Sequence, residues 1–107
     1  MITIEDFKKL DIRIGKVISA ERIPDSDKLV RMMVNFGTEE RQILAGIAEF
    51  VADLSTLPGK EMPFIVNLEP RKMRGLESQG MMLAASSGDA PILLHPAEDV
   101  EPGSIVR

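Results

Sequence analysis

Leu10-Asp11-Ile12-Arg13-Ile14-Gly15-Lys16-Val17-Ile18 is the stretch on which the fold turns. Leu10, Ile12 and Ile14 alternate with Asp11 and Arg13, the period of a strand with one buried face. Gly15 interrupts the alternation, and apolar content resumes at Val17 and Ile18. A glycine inside a strand pattern marks a bulge or a sharp bend. Small barrels need such a bend in a long first strand. Upstream, Thr3 is placed to cap a short helix through Ile4, Phe7 and Lys8, with Asp6 at the capping-box position. Downstream, Ile23-Pro24-Asp25-Ser26-Asp27 reads as a loop. Val30, Met32, Val34 and Phe36 alternate as a second strand. Gly37-Thr38-Glu39-Glu40 turns the chain, and Gln42 to Ala45 is expected to pair back as a hairpin.

Ile47, Phe50, Val51 and Leu54 fall at helical spacing and predict one short amphipathic helix, ended by Leu57-Pro58-Gly59-Lys60. Met62, Phe64, Val66 and Leu68 alternate again, and Pro63 places the start of that strand at a sheet edge. Pro70 to Gln79 is polar, basic and glycine-punctuated, and reads as an exposed loop. Gly80 to Ala85 is a fifth strand, followed by a turn over Ser86 to Ala90. Ile92 to Leu94 and Ser104 to Val106 are short strand candidates on either side of an acidic, proline-rich loop. The order strand, strand, strand, helix, strand, strand fits an all-β chain, a five-stranded Greek-key barrel with its helix between strands three and four. Other small all-β folds share the order. All four phenylalanines, Phe7, Phe36, Phe50 and Phe64, sit at apolar-pattern positions and are expected in the core.

The chain has 107 residues, enough for one domain over 1–107 with one modest core. It has no cysteine, which removes disulfides, thiolate metal sites and cysteine nucleophiles. The start, Met1-Ile2-Thr3-Ile4-Glu5-Asp6, has neither the basic opening nor the apolar run of a signal peptide. No apolar stretch approaches the ~18 residues of a membrane span. A cytoplasmic protein without membrane contact is expected. Seventeen acidic and 13 basic residues give a net charge of −4, against sequence-blind nucleic-acid binding by broad positive charge. The distribution says more. Acid gathers near both ends and at Glu39-Glu40, Glu49 and Asp53, whereas base concentrates at Arg71, Lys72 and Arg74.

By themselves, Arg71, Lys72 and Arg74 read as a solvated basic turn, Ser78 and Gln79 as ordinary loop residues, and Met81 as core or apolar surface. Lys28 reads as a local ion pair with Asp25 or Asp27. Arg13, Arg31 and Arg41 point outward from strands and either widen a basic face or solubilise it. His95 is the only histidine, and no metal-ligand spacing surrounds it. No nucleophile elbow and no phosphate-binding glycine loop is present. The chain has no Trp and no Tyr, hence no obvious set of surface stacking rings for general single-strand binding.

Four runs carry a resemblance. Leu10 to Val17, Asp25-Ser26-Asp27-Lys28-Leu29, Arg41-Gln42-Ile43-Leu44-Ala45-Gly46-Ile47-Ala48 and Asn67 to Met81 resemble, in order, the tRNA-binding domain attached to several aminoacyl-tRNA synthetases. Within that family the chain looks most like the C-terminal domain of bacterial methionyl-tRNA synthetase, or the free-standing beta subunit. Thr3-Ile4-Glu5-Asp6-Phe7 and Pro102-Gly103-Ser104 fit that branch. One departure is Ile23 before Pro24, where relatives commonly carry histidine. The resemblance implies an OB barrel with a C-terminal extension that supports dimerisation, and no catalysis and no cofactor. It implies a tRNA site of Lys28, Arg71, Lys72, Arg74, Ser78, Gln79 and Met81. The cations would hold phosphates, Ser78 and Gln79 would meet base edges or ribose hydroxyls, and Met81 would support a base. Expected partners are tRNA, a second copy through the C-terminal third, and a synthetase catalytic subunit. The rivals are a secretion-chaperone-like protein that binds unfolded polypeptides and a general single-stranded nucleic-acid binder. Lys72-Met73-Arg74-Gly75 is not the catalytic signature of a class I synthetase, whose nucleotide-binding fold is missing.

Overall fold

Residues 1–107 are all described by the computed structural model. Thr3 is extended and accepts a hydrogen bond at its hydroxyl from the Asp6 amide, while the Asp6 carboxylate accepts one from the Thr3 amide. Both halves of the capping box therefore form around α1 (Ile4–Phe7). The chain then enters β1 (Ile12–Arg22), an 11-residue strand that serves two partners. It pairs with β4 (Glu61–Ile65) from Ile12 to Lys16 and with β2 (Val30–Asn35) from Lys16 to Arg22, both antiparallel.

Gly15 stands one residue before the point where the partners exchange. The bulge expected there falls slightly later, between Val17 and Ser19. What Gly15 supplies is space. A Cβ at this position would lie 2.4 Å from Val34 Cγ1 and 2.7 Å from Phe36 Cε1. The inward curl of β1 thus brings its backbone against the core side chains of β2.

With β3 (Glu40–Ala45) and β7 (Met81–Met82) the sheet order is β3-β2-β1-β4-β7, and β7 returns beside β3 without a ladder. This is the nearly closed barrel expected from the strand order, of the OB type that the resemblance implies. Its core is built from alternate residues of the strands, with Val17, Val30, Met32, Val34, Ile43 and Met62 enclosing Phe36 and Phe64. The two rings meet edge to face at 5.5 Å and 82°. The other two phenylalanines depart from expectation: Phe7 is half-buried, and Phe50 is 48% exposed.

Three further expectations change. The amphipathic helix over Ile47 to Leu54 does not form. The segment is a turn followed by a single 3-10 turn over Leu54–Thr56. Its carbonyls are claimed from outside, since Arg22 Nη1 donates to Ala48 O at 3.0 Å and Arg22 Nη2 to Val51 O at 3.5 Å. Asp53 turns its carboxylate onto the Ser55 amide and hydroxyl, which caps the 3-10 turn and stops any preceding helix. Pro63 is not on an edge, because β4 lies between β1 and β7. Its carbonyl accepts from Leu83 N at 3.0 Å, so its missing N–H faces the end of β7, where the ladder stops at Met82. The Gly80 to Ala85 strand breaks at Leu83 into β7 and β8 (Ala84–Ser87), and β8 pairs with β9 (Ala90–Leu93) as a separate ribbon.

The chain end runs along the edge of β1 that β2 leaves free. Gly103 N donates to Ile14 O at 2.7 Å and Val106 N to Ile12 O at 2.8 Å. His95 Nδ1 contacts the Glu61 carbonyl at 2.8 Å, which ties the preceding loop to β4. No helix is long and apolar enough to cross a membrane.

Candidate nucleic-acid interface

The basic segment is not a loop. Arg71–Met73 (β5) and Leu76–Ser78 (β6) form a two-stranded hairpin, with Arg71 opposite Ser78 and Lys72 opposite Glu77. The two residues between the strands, Arg74 (φ +53°) and Gly75 (φ +78°), are both left-handed, as a two-residue type I′ turn requires. Asparagine and glycine suit such a turn. An arginine in the left-handed region costs roughly 1–2 kcal/mol relative to a right-handed residue. The turn therefore carries a charge where local stability favours a different residue.

The hairpin belongs to a sheet of its own, and mostly side-chain bonds fasten it to the free edge of β3. Ser78 Oγ accepts from the Leu44 amide at 3.0 Å and donates to the Gly80 carbonyl at 2.9 Å. Gln79 N donates to Gln42 O at 2.8 Å, and Gln79 Oε1 accepts from Gln42 N at 3.0 Å. Gln42 Nε2 reaches Glu77 O at 2.8 Å. Arg41 Nη1 donates to Val66 O at 2.6 Å and to Gln79 O at 3.1 Å.

This geometry gives Ser78 a structural role. It is 1% exposed and its hydroxyl is committed in both directions within the protein, so no free donor or acceptor is left for a base edge or ribose. It holds the root of the hairpin. Gln79 is exposed, with its carboxamide oxygen engaged and its Nε2 without a protein partner. Met81 is half-buried opposite Ile65 and faces a hollow of about 290 Å³ that it shares with Leu44, Ile47, Met82, Pro91 and Arg71. Arg71 and Met81 thus line one concavity whose other walls are mostly apolar. Lys28 approaches the same region through the backbone, where its carbonyl accepts from Ala48 N at 2.9 Å, next to Ile47.

The cations singled out in the sequence fall into two groups. Arg13 is paired with Asp11 at 2.8 Å, Arg31 with Glu21, and Arg41 with Glu39 at 2.5 Å, so the outward arginines of the barrel strands are neutralised. Lys28, Arg71, Lys72 and Arg74 are exposed and enter no ion pair. Lys28 does not pair with Asp25 or Asp27; the turn before it is organised instead by Ser26 Oγ, which accepts from the Lys28 and Leu29 amides. Gln42 and Arg41 were missing from the site as read from sequence. The outward position of Arg41 at the start of β3 was visible, but not that this edge would receive the hairpin.

Residues 12–105 match the family described as "Putative tRNA binding domain". The chain belongs to this family. The methionine–tRNA ligase of Thermotoga maritima is 50% identical over 105 residues, 98% of this chain and 16% of the enzyme. The chain thus corresponds to a small part of that relative. The MetRS-related protein from Pyrococcus horikoshii has the same fold, with a TM-score of 0.94 and 38% identity over 100% of this chain and 98% of its own. The chaperone CsaA from Bacillus anthracis superposes with a TM-score of 0.89 and 28% identity, over 100% of this chain and 99% of its own. One barrel therefore serves proteins of both descriptions, and surface chemistry must separate them.

Proposed function

We propose that this tRNA-binding domain is a non-catalytic module that holds tRNA by its backbone and shape, as an accessory subunit or domain of a methionine–tRNA ligase in the cytoplasm. The observation that carries this reading is Arg74, an arginine held in left-handed conformation at the tip of a hairpin with unpaired Arg71 and Lys72. A local choice that opposes stability points to function. Lys28 extends the cationic surface, while Gln79 and Met81 supply a polar and an apolar contact beside it. Phosphate contacts fix position without reading sequence. Tethered to a catalytic partner, such a module raises the local concentration of tRNA.

A homodimer is part of the proposal. Ile92, Leu94, Val100, Ile105 and Val106 remain exposed although the chain end is bonded to β1. A twofold contact would bury them on both copies and put two basic hairpins on one particle.

The hollow lined by Arg71 and Met81 favours a second reading, capture of an unfolded polypeptide by its apolar walls. Total tRNA binding across salt concentrations tests the first reading. Arg71→Ala with Arg74→Ala should weaken binding and reduce the slope of log affinity against log salt by roughly 0.7 to 0.9 for each phosphate no longer held. Unchanged affinity and slope would remove the hairpin from the site. An unfolded polypeptide or single-stranded DNA that displaces tRNA efficiently would favour the rival readings.

A further inference from the structure

The hairpin β5–β6 carries three unpaired cations within four residues, yet it shares no sheet with the barrel. A two-stranded ribbon is marginal by itself in water. What fastens it decides where its charges stand. Gln42 makes three of the fastenings: its N–H to Gln79 Oε1, its carbonyl from Gln79 N, and its Nε2 to the Glu77 carbonyl. The last bond is the informative one. Glu77 lies directly opposite Lys72 in the ladder, and the adjacent Ser78, held by the Leu44 amide, lies opposite Arg71. Each anchored residue of β6 therefore backs a cation of β5. Gln42 is neutral, so it can set the placement of these charges without adding to them.

We propose that Gln42 is a positioning residue for tRNA binding, acting through the Glu77 carbonyl to hold the hairpin, and with it Lys72 and Arg71, where each can meet a phosphate. The inference rests on the hairpin being the tRNA site. Charge-assisted contacts to phosphate require short, aligned geometry. A hairpin pivoting about its root would keep its charge but lose that alignment.

Gln42→Met keeps the length of the side chain and both main-chain bonds to Gln79, and removes the donor to Glu77. In the full chain, total tRNA should bind about tenfold more weakly, the equivalent of one charge-assisted hydrogen bond. The salt slope should fall with it by roughly 0.7 to 0.9. The melting temperature should move by less than about 4 °C, because a single exposed hydrogen bond is removed. The decisive measurement is a double-mutant cycle with Arg71→Ala plus Lys72→Ala. If Gln42 acts through these cations, Gln42→Met changes affinity by less than about twofold once they are gone. Additive losses would mean that Gln42 touches RNA itself or acts through the fold, and would overturn the inference. So would full-strength binding by Gln42→Met while the cation variant binds weakly, and that result leaves the hairpin as the site. Full-strength binding by the cation variant would reject both the inference and the site. A melting temperature that falls well beyond the expected range, with binding restored on cooling, would assign Gln42 to the fold alone and equally overturn it.

Discussion

Removing one oxygen atom, by Ser78→Ala, separates two roles that the local sequence leaves indistinguishable. Ser78 Oγ takes the Leu44 amide at 3.0 Å and gives its proton to the Gly80 carbonyl at 2.9 Å, in a buried setting. Neither backbone group has another hydrogen-bond partner in the protein. Substitution by alanine removes no carbon, so the cavity contribution is small. The cost is that of leaving a buried donor and a buried acceptor unsatisfied, about 1–3 kcal/mol for each and roughly 2–6 kcal/mol together. With an unfolding entropy near 2.1 cal/mol/K per residue, a chain of this length loses roughly 4 °C per kcal/mol, so a fall of about 8–24 °C is expected. The chain has no Trp or Tyr, so the melt is followed by far-UV circular dichroism. A melting temperature within about 2 °C of the parent, together with weakened tRNA binding, would refute the reasoning. It would return Ser78 to a direct RNA contact.

Gly15→Ala should destabilise the barrel by about 1–3 kcal/mol or more through overpacking, since the new methyl would collide with Val34 and Phe36; a denaturation midpoint close to the parent's would show that β1 can move away. Arg74→Asn should raise the stability of the hairpin turn while lowering tRNA affinity, because asparagine suits left-handed backbone and carries no charge; equal or tighter binding would count against Arg74 as a phosphate contact. The Ser55 hydroxyl and amide hold the Asp53 carboxyl below its ordinary value of 3.8. A lowered folded-state pKa stabilises fully above the unfolded value and fades as pH falls through the folded one. Ser55→Ala should therefore move the Asp53 titration upward in an NMR pH series, and an unmoved titration would dismiss these bonds as the cause. Sedimentation equilibrium at micromolar concentration should find a dimer that Ile92→Asp with Ile105→Asp converts to monomer with weaker tRNA binding; a parent monomer binding at full strength would defeat the dimer.

Much of the barrel was legible in the residues alone. The alternation through Ile12 and Ile14, then Val30 to Phe36, then Met62 and Phe64, reports directly on burial, because successive residues of a strand face opposite sides. The Gly37 to Glu40 turn and the Thr3 cap were equally readable, since each is satisfied within a few residues. The cations Arg71, Lys72 and Arg74 could be picked out by type, although their segment reads as a loop. Two short strands joined by Arg-Gly instead of Asn-Gly do not announce a hairpin.

The failures share a cause. Ile47, Phe50, Val51 and Leu54 have helical spacing, but Arg22 and Asp53 withdraw the backbone groups a helix would use. Pro63 reads as an edge residue until β7 is found beyond it, ending where the proline offers no donor. Ser78 and Gln79 read as free polar residues until the edge of β3 arrives to engage them. By itself, then, the sequence determined the strands, their buried faces and the residue types available for phosphate. Which polar groups remain free for a ligand was decided by the tertiary structure alone. A buried backbone group takes whatever partner the fold brings near, and those partners here lie 25 to 38 residues away along the chain.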